Sequence, residues 1–321
     1  YAEMKRTSSD VLFLLKGEGM GFRVVLVENE VEMRLKLDNL VVRKQEKEIW
    51  IPLEDISIMI LDNMKVTITA RMLCALAKHN VGMMVCNQEH LPIGFYCSYD
   101  NHSRISNNMK YQIDVEDDFY DALWSKIIAR KIVNQKNVLQ QLNKENKSVL
   151  LLEQFVRELG PGDKTNREAH AAKVYFNTLM GCSFSRGNEE ILLNSGLDFG
   201  YAVLRSFIAK MCVGYGLNSQ LGIHHCNEYN RFNLVDDLIE PFRPFVDLYA
   251  YQLLNEEDYF TSEHRRKLAN MLNHRIVYKG RNMYLCNAIE EYVSGYAALL
   301  KKKTNWELPD VSEYQGEEDE I

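Results

Sequence analysis

The hydrophobic period of this chain changes once, near residue 100, and that change limits the fold more than any other feature of the sequence. From Phe22 to Tyr99 the apolar residues come in short runs between polar turns: FRVVLVE, MRLKLDNLVVRK, EIWIPL, ISIMIL, GMMVC and PIGFYC. Runs of this length, rich in β-branched residues, fit strands. Arg34-Leu35-Lys36-Leu37 alternates, as a strand with one wet face must, because successive side chains point to opposite sides. Within this half, Thr67 to His79 has helical spacing, with Ile68, Met72, Leu73 and Leu76. Past a polar stretch at 100–108 the spacing is helical, predicting helices around Asp117–Asn143, Ser148–Leu159, Thr165–Met180, Glu189–Tyr215, Asp236–Leu254, Ser262–Leu272 and Ala288–Lys303. The expected fold is therefore α+β: a β-rich, β-sandwich-like domain over 20–100, a linker over 101–108 and an all-α domain over 109–303.

The 321 residues, 46% hydrophobic, are ample for two cores. No apolar run reaches the ~18 residues of a membrane span. Seven cysteines, an odd number without a C-x-x-C pair, point to a reducing cytosol and away from a zinc ribbon or disulfide framework. The formal charge of −7 equals the seven carboxylates of Thr304–Ile321, a stretch without Lys or Arg. That stretch reads as an acidic, disordered tail, which leaves residues 1–303 formally neutral.

Chemistry-bearing residues concentrate in Leu221–Asp247, LGIHHCNEYNRFNLVDDLIEPFRPFVD. His224 and His225 close an apolar run, and a polar loop leads to an acidic helix start. Asp237 and Glu240, three apart, share one helix face, and Pro241 sits in early turns where its missing N–H costs little. A purely structural reading is open as well, with Asp236 as an N-cap and the carboxylates complementing the helix dipole. In TNREAHAAKVYF, Glu168 likewise has two readings: a ligand, or the second half of a Thr165-x-x-Glu168 capping box. Cys226 beside His225 suggests a thiol nucleophile, but no Gly-rich oxyanion turn accompanies it.

Four blocks in order, NREAHAAKVYF, LDFGY, LGIHH and DLIEPFRPFVD, resemble the CRISPR-associated integrase of the adaptation module, the Cas1 family, most closely its type II branch. The resemblance runs from about Met20 to Lys303. Met20-Gly21-Phe22 resembles the family's native start, so Tyr1–Gly19 is expected to be fusion residue, its VLFLL patch being too short for an ordinary secretory signal. The resemblance implies a divalent metal, Mg2+ or Mn2+, held by Glu168, His225 and Glu240. The family's G-x-x-H, counted from Gly222, selects His225 over His224, and Asp237 matches a supporting acid. Ala169 replaces the usual glycine after the glutamate, a small-for-small change.

The same resemblance implies a prokaryotic, cytoplasmic enzyme that inserts short double-stranded DNA fragments into CRISPR repeat DNA by attack of a 3′-hydroxyl. It implies a homodimer formed through the β-rich domain and a small bridging CRISPR adaptation protein in a four-to-two complex. In type II systems an accessory ring protein and the RNA-guided effector nuclease join acquisition. Candidates for phosphate contact are Lys126, Arg130 and Lys131 in one basic run, Arg265 and Arg266 in another, and Arg186, Arg243, Lys279 and Arg281 near the blocks. Such runs are also common on solvated helix faces. Two other functions fit the residues: a stand-alone structure-selective nuclease, or a DNA-binding scaffold without catalysis.

Overall fold

The computed structural model describes residues 13–15, 23–44, 47–99, 102–182, 184–186, 188, 191–302 and 305–316. Its N-terminal half holds strands β1 (Phe13–Leu15), β2 (Arg23–Val27), β3 (Glu32–Lys36), β4 (Asn39–Lys44), β5 (Lys47–Pro52), β6 (Ile56–Leu61), β7 (Thr67–Ile68), β8 (Gly82–Cys86) and β9 (Pro92–Tyr96), with helix α1 (Ala70–Lys78). They form a five-stranded sheet in the order β1-β2-β6-β8-β9 and a four-stranded sheet in the order β5-β4-β3-β7. The first has a parallel centre, β2-β6-β8, and antiparallel edges.

The central sheet is buried on both faces, which explains why ISIMIL shows no alternation. Val25, Val27, Met59 and Leu61 face the second sheet and pack with Met33, Leu40, Val42, Ile51 and α1. Their neighbours Val24, Leu26, Ile58 and Ile60 point the other way, into the helical half. The sandwich and the helices thus share one sheet. Two ion pairs cross the same boundary: Arg265 Nε lies 2.7 Å from Asp62 Oδ2, and Arg266 Nη2 2.7 Å from Glu28 Oε2.

Helices α2 (Ile105–Ile113), α3 (Asp117–Gln141), α4 (Asn146–Glu158), α5 (Arg167–Met180), α6 (Leu192–Gly214), α7 (Asn233–Leu238), α8 (Arg243–Leu254), α9 (Ser262–Asn270) and α10 (Leu285–Lys302) follow. LDFGY lies on α6, and its glycine has a packing reason: a Cβ on Gly200 would fall 2.5 Å from Val246 Cγ1 of α8. One on Gly196 would fall 2.2 Å from Leu254 Cδ1. Without a side chain at these positions α6 and α8 approach closely with Val246 and Leu254 left in place. No described helix is long and apolar enough to cross a membrane.

Four expectations are corrected. The supposed linker already contains the start of α2, and its polarity serves hydrogen bonding: buried Asn108 and Gln112 donate to the carbonyls of Tyr215 and Asn218 at 2.9 and 3.1 Å, just past α6. The predicted helix over Asp236–Leu254 is broken by a 3-10 turn at Glu240–Phe242, because Pro241 and Pro244 each remove a ladder donor. The C-terminal half is not all helical: β10 (Arg275–Tyr278), β11 (Arg281–Tyr284) and β12 (Tyr314–Gly316) form a sheet in the order β11-β10-β12. Its hairpin turns at Lys279-Gly280, both with positive φ, while Ile276, Tyr278 and Met283 are buried.

The fourth correction concerns the acidic tail, which is ordered over residues 305–316. Trp306, Leu308 and Val311 are buried, and Trp306 stacks on Tyr292 with ring centroids 4.7 Å apart while donating to its carbonyl at 2.9 Å. Asp310 accepts from Arg130 at 2.5 Å and from Asn137 at 3.0 Å, both on α3. The segment has apolar residues without helical period because it is a strap rather than a helix. Of Tyr1–Gly19, Phe13–Leu15 pairs with β2 as an edge strand, and the rest of the expected fusion segment lies outside the described residues. Trp306→Ala should lower the unfolding free energy by roughly 3–5 kcal/mol, as large-to-small core changes do; an unchanged urea midpoint would show that the strap does not hold the core.

Candidate functional site

Glu168 opens α5, yet it does not cap it. The N-cap is Asn166, with φ of 55°, and its side chain makes no capping bond. The carboxylate of Asp163 accepts instead from the backbone N–H of Arg167 at 2.8 Å and of Glu168 at 2.9 Å. The capping-box reading of Thr165 and Glu168 is therefore corrected: the free amides already have an acceptor, and the Glu168 side chain turns elsewhere. Its Oε1 lies 2.6 Å from Nζ of Lys131, in the middle of α3.

The same ammonium lies 2.5 Å from Oε2 of Glu240, in the 3-10 turn after α7. Arg243 Nε donates to the other oxygen, Oε1, at 2.9 Å. Glu240 is buried, and Oε2 has no hydrogen bond of good geometry, so its contact with Lys131 is one of charge. Burial acts to raise the Glu240 carboxyl, but Arg243 and Lys131 outweigh it and hold the group well below the usual carboxylate range. Burial likewise opposes the charge on Lys131, and Glu240 and Glu168 overcome it, so the ammonium keeps its proton. Arg243 in turn lies over the ring of Tyr201, 4.8 Å from its centroid, and the Tyr201 hydroxyl donates to buried Asp247, whose acidity burial weakens to about 6.

The histidine loop is organised by Asp237, which is fully buried. Its Oδ2 accepts from the backbone N–H of Ile223 at 2.5 Å and of His224 at 3.1 Å. Its Oδ1 accepts from the N–H of His225 at 3.2 Å and meets that ring's Nδ1 at 2.6 Å. Facing a carboxylate, Nδ1 is the donor, so in the neutral ring Nε2 keeps its lone pair. Gly222 is required for this turn, since a Cβ there would lie 2.2 Å from the carbonyl oxygen of His225 and 2.8 Å from Asp237 Oδ2. Asp236 is not the N-cap, a place held by Phe232; it pairs with Arg205 at 2.6 Å and accepts from Asn230 at 2.7 Å, closing the loop.

The two histidines diverge. His224 lies flat on Trp124, with centroids 4.4 Å apart and planes within 3°, whereas His225 meets the same indole edge-on. The hydrogen bond with Asp237 raises the His225 pKa against the opposing effect of burial, and the charges of Asp237, Glu240 and Asp236 add to the rise. Glu168 and Glu240 thus converge on one cation, and the charge of Glu240 reaches His225. Among the described residues no three His, Cys, Asp or Glu side chains already stand at ligating distance of one point. The donors fit a divalent ion in kind, two carboxylate oxygens and an imidazole nitrogen, and the point between the carboxylates is already a cation position.

Each basic candidate for phosphate contact has an internal partner. Lys126 donates to the Trp306 carbonyl at 2.6 Å, Arg130 pairs with Asp310, and Arg186 bonds Asn194 and Asp198 at 2.7 and 2.5 Å. Lys279 and Arg281 both reach Glu291, at 3.5 and 2.6 Å. Arg266 holds Glu28 and Arg243 holds Glu240. Lys131 and Arg265 are buried, 7% and 6% exposed, and correct the sequence reading most clearly: both are committed to buried carboxylates, so neither presents its charge to solvent. The sequence reading missed the site roles of Lys131, Tyr201 and Asp247 and the cap at Asp163. The blocks LDFGY and FRPFVD contain Tyr201 and Asp247 and offered that signal.

In metal-free protein the His225 ring should titrate above an ordinary histidine, and Asp237→Asn should bring it down. Two-dimensional NMR of the ring nitrogens reads this directly; a titration unmoved by the substitution would show that Asp237 does not set the state of His225.

The family model described as CRISPR associated protein Cas1 matches residues 24–285. A relative from Neisseria meningitidis serogroup C (strain 8013), CRISPR-associated endonuclease Cas1, is 32% identical over 306 residues, covering 93% of this chain and 100% of the relative. Among solved structures, a casposase bound to integration product superposes with a TM-score of 0.73 at 19% identity, covering 93% of this chain and 96% of that one. A Cas6-RT-Cas1–Cas2 complex gives 0.71 at 18% identity, covering 94% of this chain and 36% of that one. These two likenesses concern the fold. With the family model matching most of this chain and a relative aligned end to end, the chain belongs to the Cas1 family of CRISPR-associated proteins.

Proposed function

We propose that this chain is the metal-dependent DNA integrase of a CRISPR adaptation module, of the type II branch, joining short DNA fragments to the CRISPR array by transesterification. The observation that carries the reading is the meeting of Glu168 and Glu240, from separate elements, on a single cation position, with the charge of Glu240 acting on His225, whose ring is held through Nδ1. Acids so placed repel unless a cation stays between them, so their convergence marks a place that holds positive charge.

Glu168 Oε1, Glu240 Oε2 and His225 Nε2 would hold Mg2+ or Mn2+, the imidazole favouring Mn2+. When bound, the ion lowers the cost of ionising the attacking hydroxyl and neutralises charge on the target phosphate. The protein's own groups do the positioning. Asp237 sets the tautomer and direction of His225 through three loop amides and the ring. Arg243 fixes the Glu240 carboxylate, and Tyr201 with Asp247 fixes Arg243. The loop and both carboxylates are thus aimed before substrate arrives, so little reorganisation remains for the reaction.

Partners follow from the same reading. The protein acts in a prokaryotic cytoplasm as a homodimer, through the β-rich region of residues 20–100, bridged by a small adaptation protein in a four-to-two assembly. Likeness to a chain solved within a Cas1–Cas2 complex supports the bridge, and likeness to a casposase bound to integration product supports joining. DNA fragment and CRISPR repeat are the substrates, and in type II systems the accessory ring protein and effector nuclease join them. Since most basic candidates are in internal pairs, those on the surface (Arg130, Arg186, Lys279 and Arg281) exchange a carboxylate for a phosphate to bind DNA.

A second reading has support of its own, because the Neisseria relative is described as an endonuclease, and water in place of the sugar hydroxyl makes the same site a nuclease. A joining assay with the bridging protein, repeat DNA and Mn2+ separates the two. A 3′-dideoxy fragment should abolish joining while binding persists and weakens with salt as counterion release requires. Cutting of branched DNA without any joining would favour the nuclease.

A further inference from the structure

Lys131 stands where the proposed ion would have to stand. Its Nζ is 2.6 Å from Glu168 Oε1 and 2.5 Å from Glu240 Oε2, and its side chain is 9% exposed. Counted with Arg243 on Glu240 Oε1, the two carboxylates already face two cations of their own. A divalent ion added beside them would bring two more positive charges against the ammonium. It would also compete with the ammonium for the same two oxygens, and at such separations like charges repel strongly.

Resting on the metal reading above, we infer that Lys131 is a tethered counter-ion of the carboxylate pair, which a divalent ion must displace in order to bind. In the metal-free protein the ammonium keeps Glu168 and Glu240 aimed at one point, which two bare carboxylates would not do. On loading, it leaves both oxygens. The affinity for the ion is then the intrinsic affinity of the ligands reduced by the work of releasing Lys131, in the way any closed resting state reduces an apparent affinity. A lysine suits this role better than an arginine: its single ammonium on a flexible stem withdraws more readily than a planar fork held at two bonds.

Calorimetric titration of Mn2+ into full-length protein tests this, with Lys131→Met and Lys131→Arg beside the wild type. Lys131→Met removes the competitor and should bind Mn2+ about tenfold tighter, the change expected if release of the ammonium costs only the lower end of a charge-assisted contact. Its metal-free melting temperature should fall, because two buried carboxylates lose their shared cation, and Mn2+ should raise it by more than it raises the wild type. Lys131→Arg keeps the charge and the fold and should bind Mn2+ more weakly than the wild type, which keeps the test open should the Met variant not fold without metal.

Wild-type protein that binds Mn2+ together with a folded Lys131→Met variant of equal or weaker affinity would overturn the role of Lys131 and leave the metal reading standing. An Arg variant with wild-type affinity would overturn the role in the same way. No saturable Mn2+ binding in any of the three would overturn the metal reading and this inference with it.

Discussion

Two ionised carboxylates brought to one point repel unless a cation lies between them, and the helical half of this protein is arranged around that requirement. α3 supplies Lys131 from its middle, α5 supplies Glu168 from its first turn, and the 3-10 turn between α7 and α8 supplies Glu240. The position of each depends on packing elsewhere. Glu168 depends on Asp163, which takes up the amides that would otherwise claim an acidic side chain. Glu240 depends on Pro241, which breaks the helix so that the carboxylate faces α3 rather than continuing along α8. α3 itself is held by the C-terminal strap, whose Asp310 and backbone engage Arg130, Asn134 and Asn137.

The β-rich half bears on the site through the sheet it shares with the helices. One face of that sheet packs against α6, and the ion pairs of Arg265 with Asp62 and Arg266 with Glu28 tie α9 to it. α6 carries Tyr201, which supports Arg243, and approaches α8 through Gly196 and Gly200. A buried charge pair contributes little net stability against an apolar replacement, but removing one partner strands the other, so such pairs fix the relative placement of the elements they join.

Much of this was legible in the sequence, and the limits have physical causes. The change of period near residue 100 is local information, and it separated the strands from most of the helices. Gly222 was read as the start of G-x-x-H, and the structure supplies the reason: a side chain there would collide with the histidine's own carbonyl. The misreadings arose where a side chain's partner lies far away in sequence. Acidic residues of the strap looked solvated because their partners on α3 lie more than a hundred residues earlier, as with Asp310 and Arg130. Lys131 looked like one member of a basic run, since nothing local marks it as facing two carboxylates. The hairpin of β10 and β11 was missed because four-residue strands carry too little periodic signal between helices.

The central claim is that Glu168, Glu240 and His225 form one divalent-ion site whose resting occupant is Lys131. Diffraction from crystals grown with Mn2+, with data collected at the manganese edge, tests it most directly. The account predicts one anomalous peak between the two glutamates, within ligating distance of His225 Nε2, with the Lys131 ammonium moved off both carboxylates. A peak elsewhere, or no peak with Lys131 still bridging Glu168 and Glu240, would contradict it.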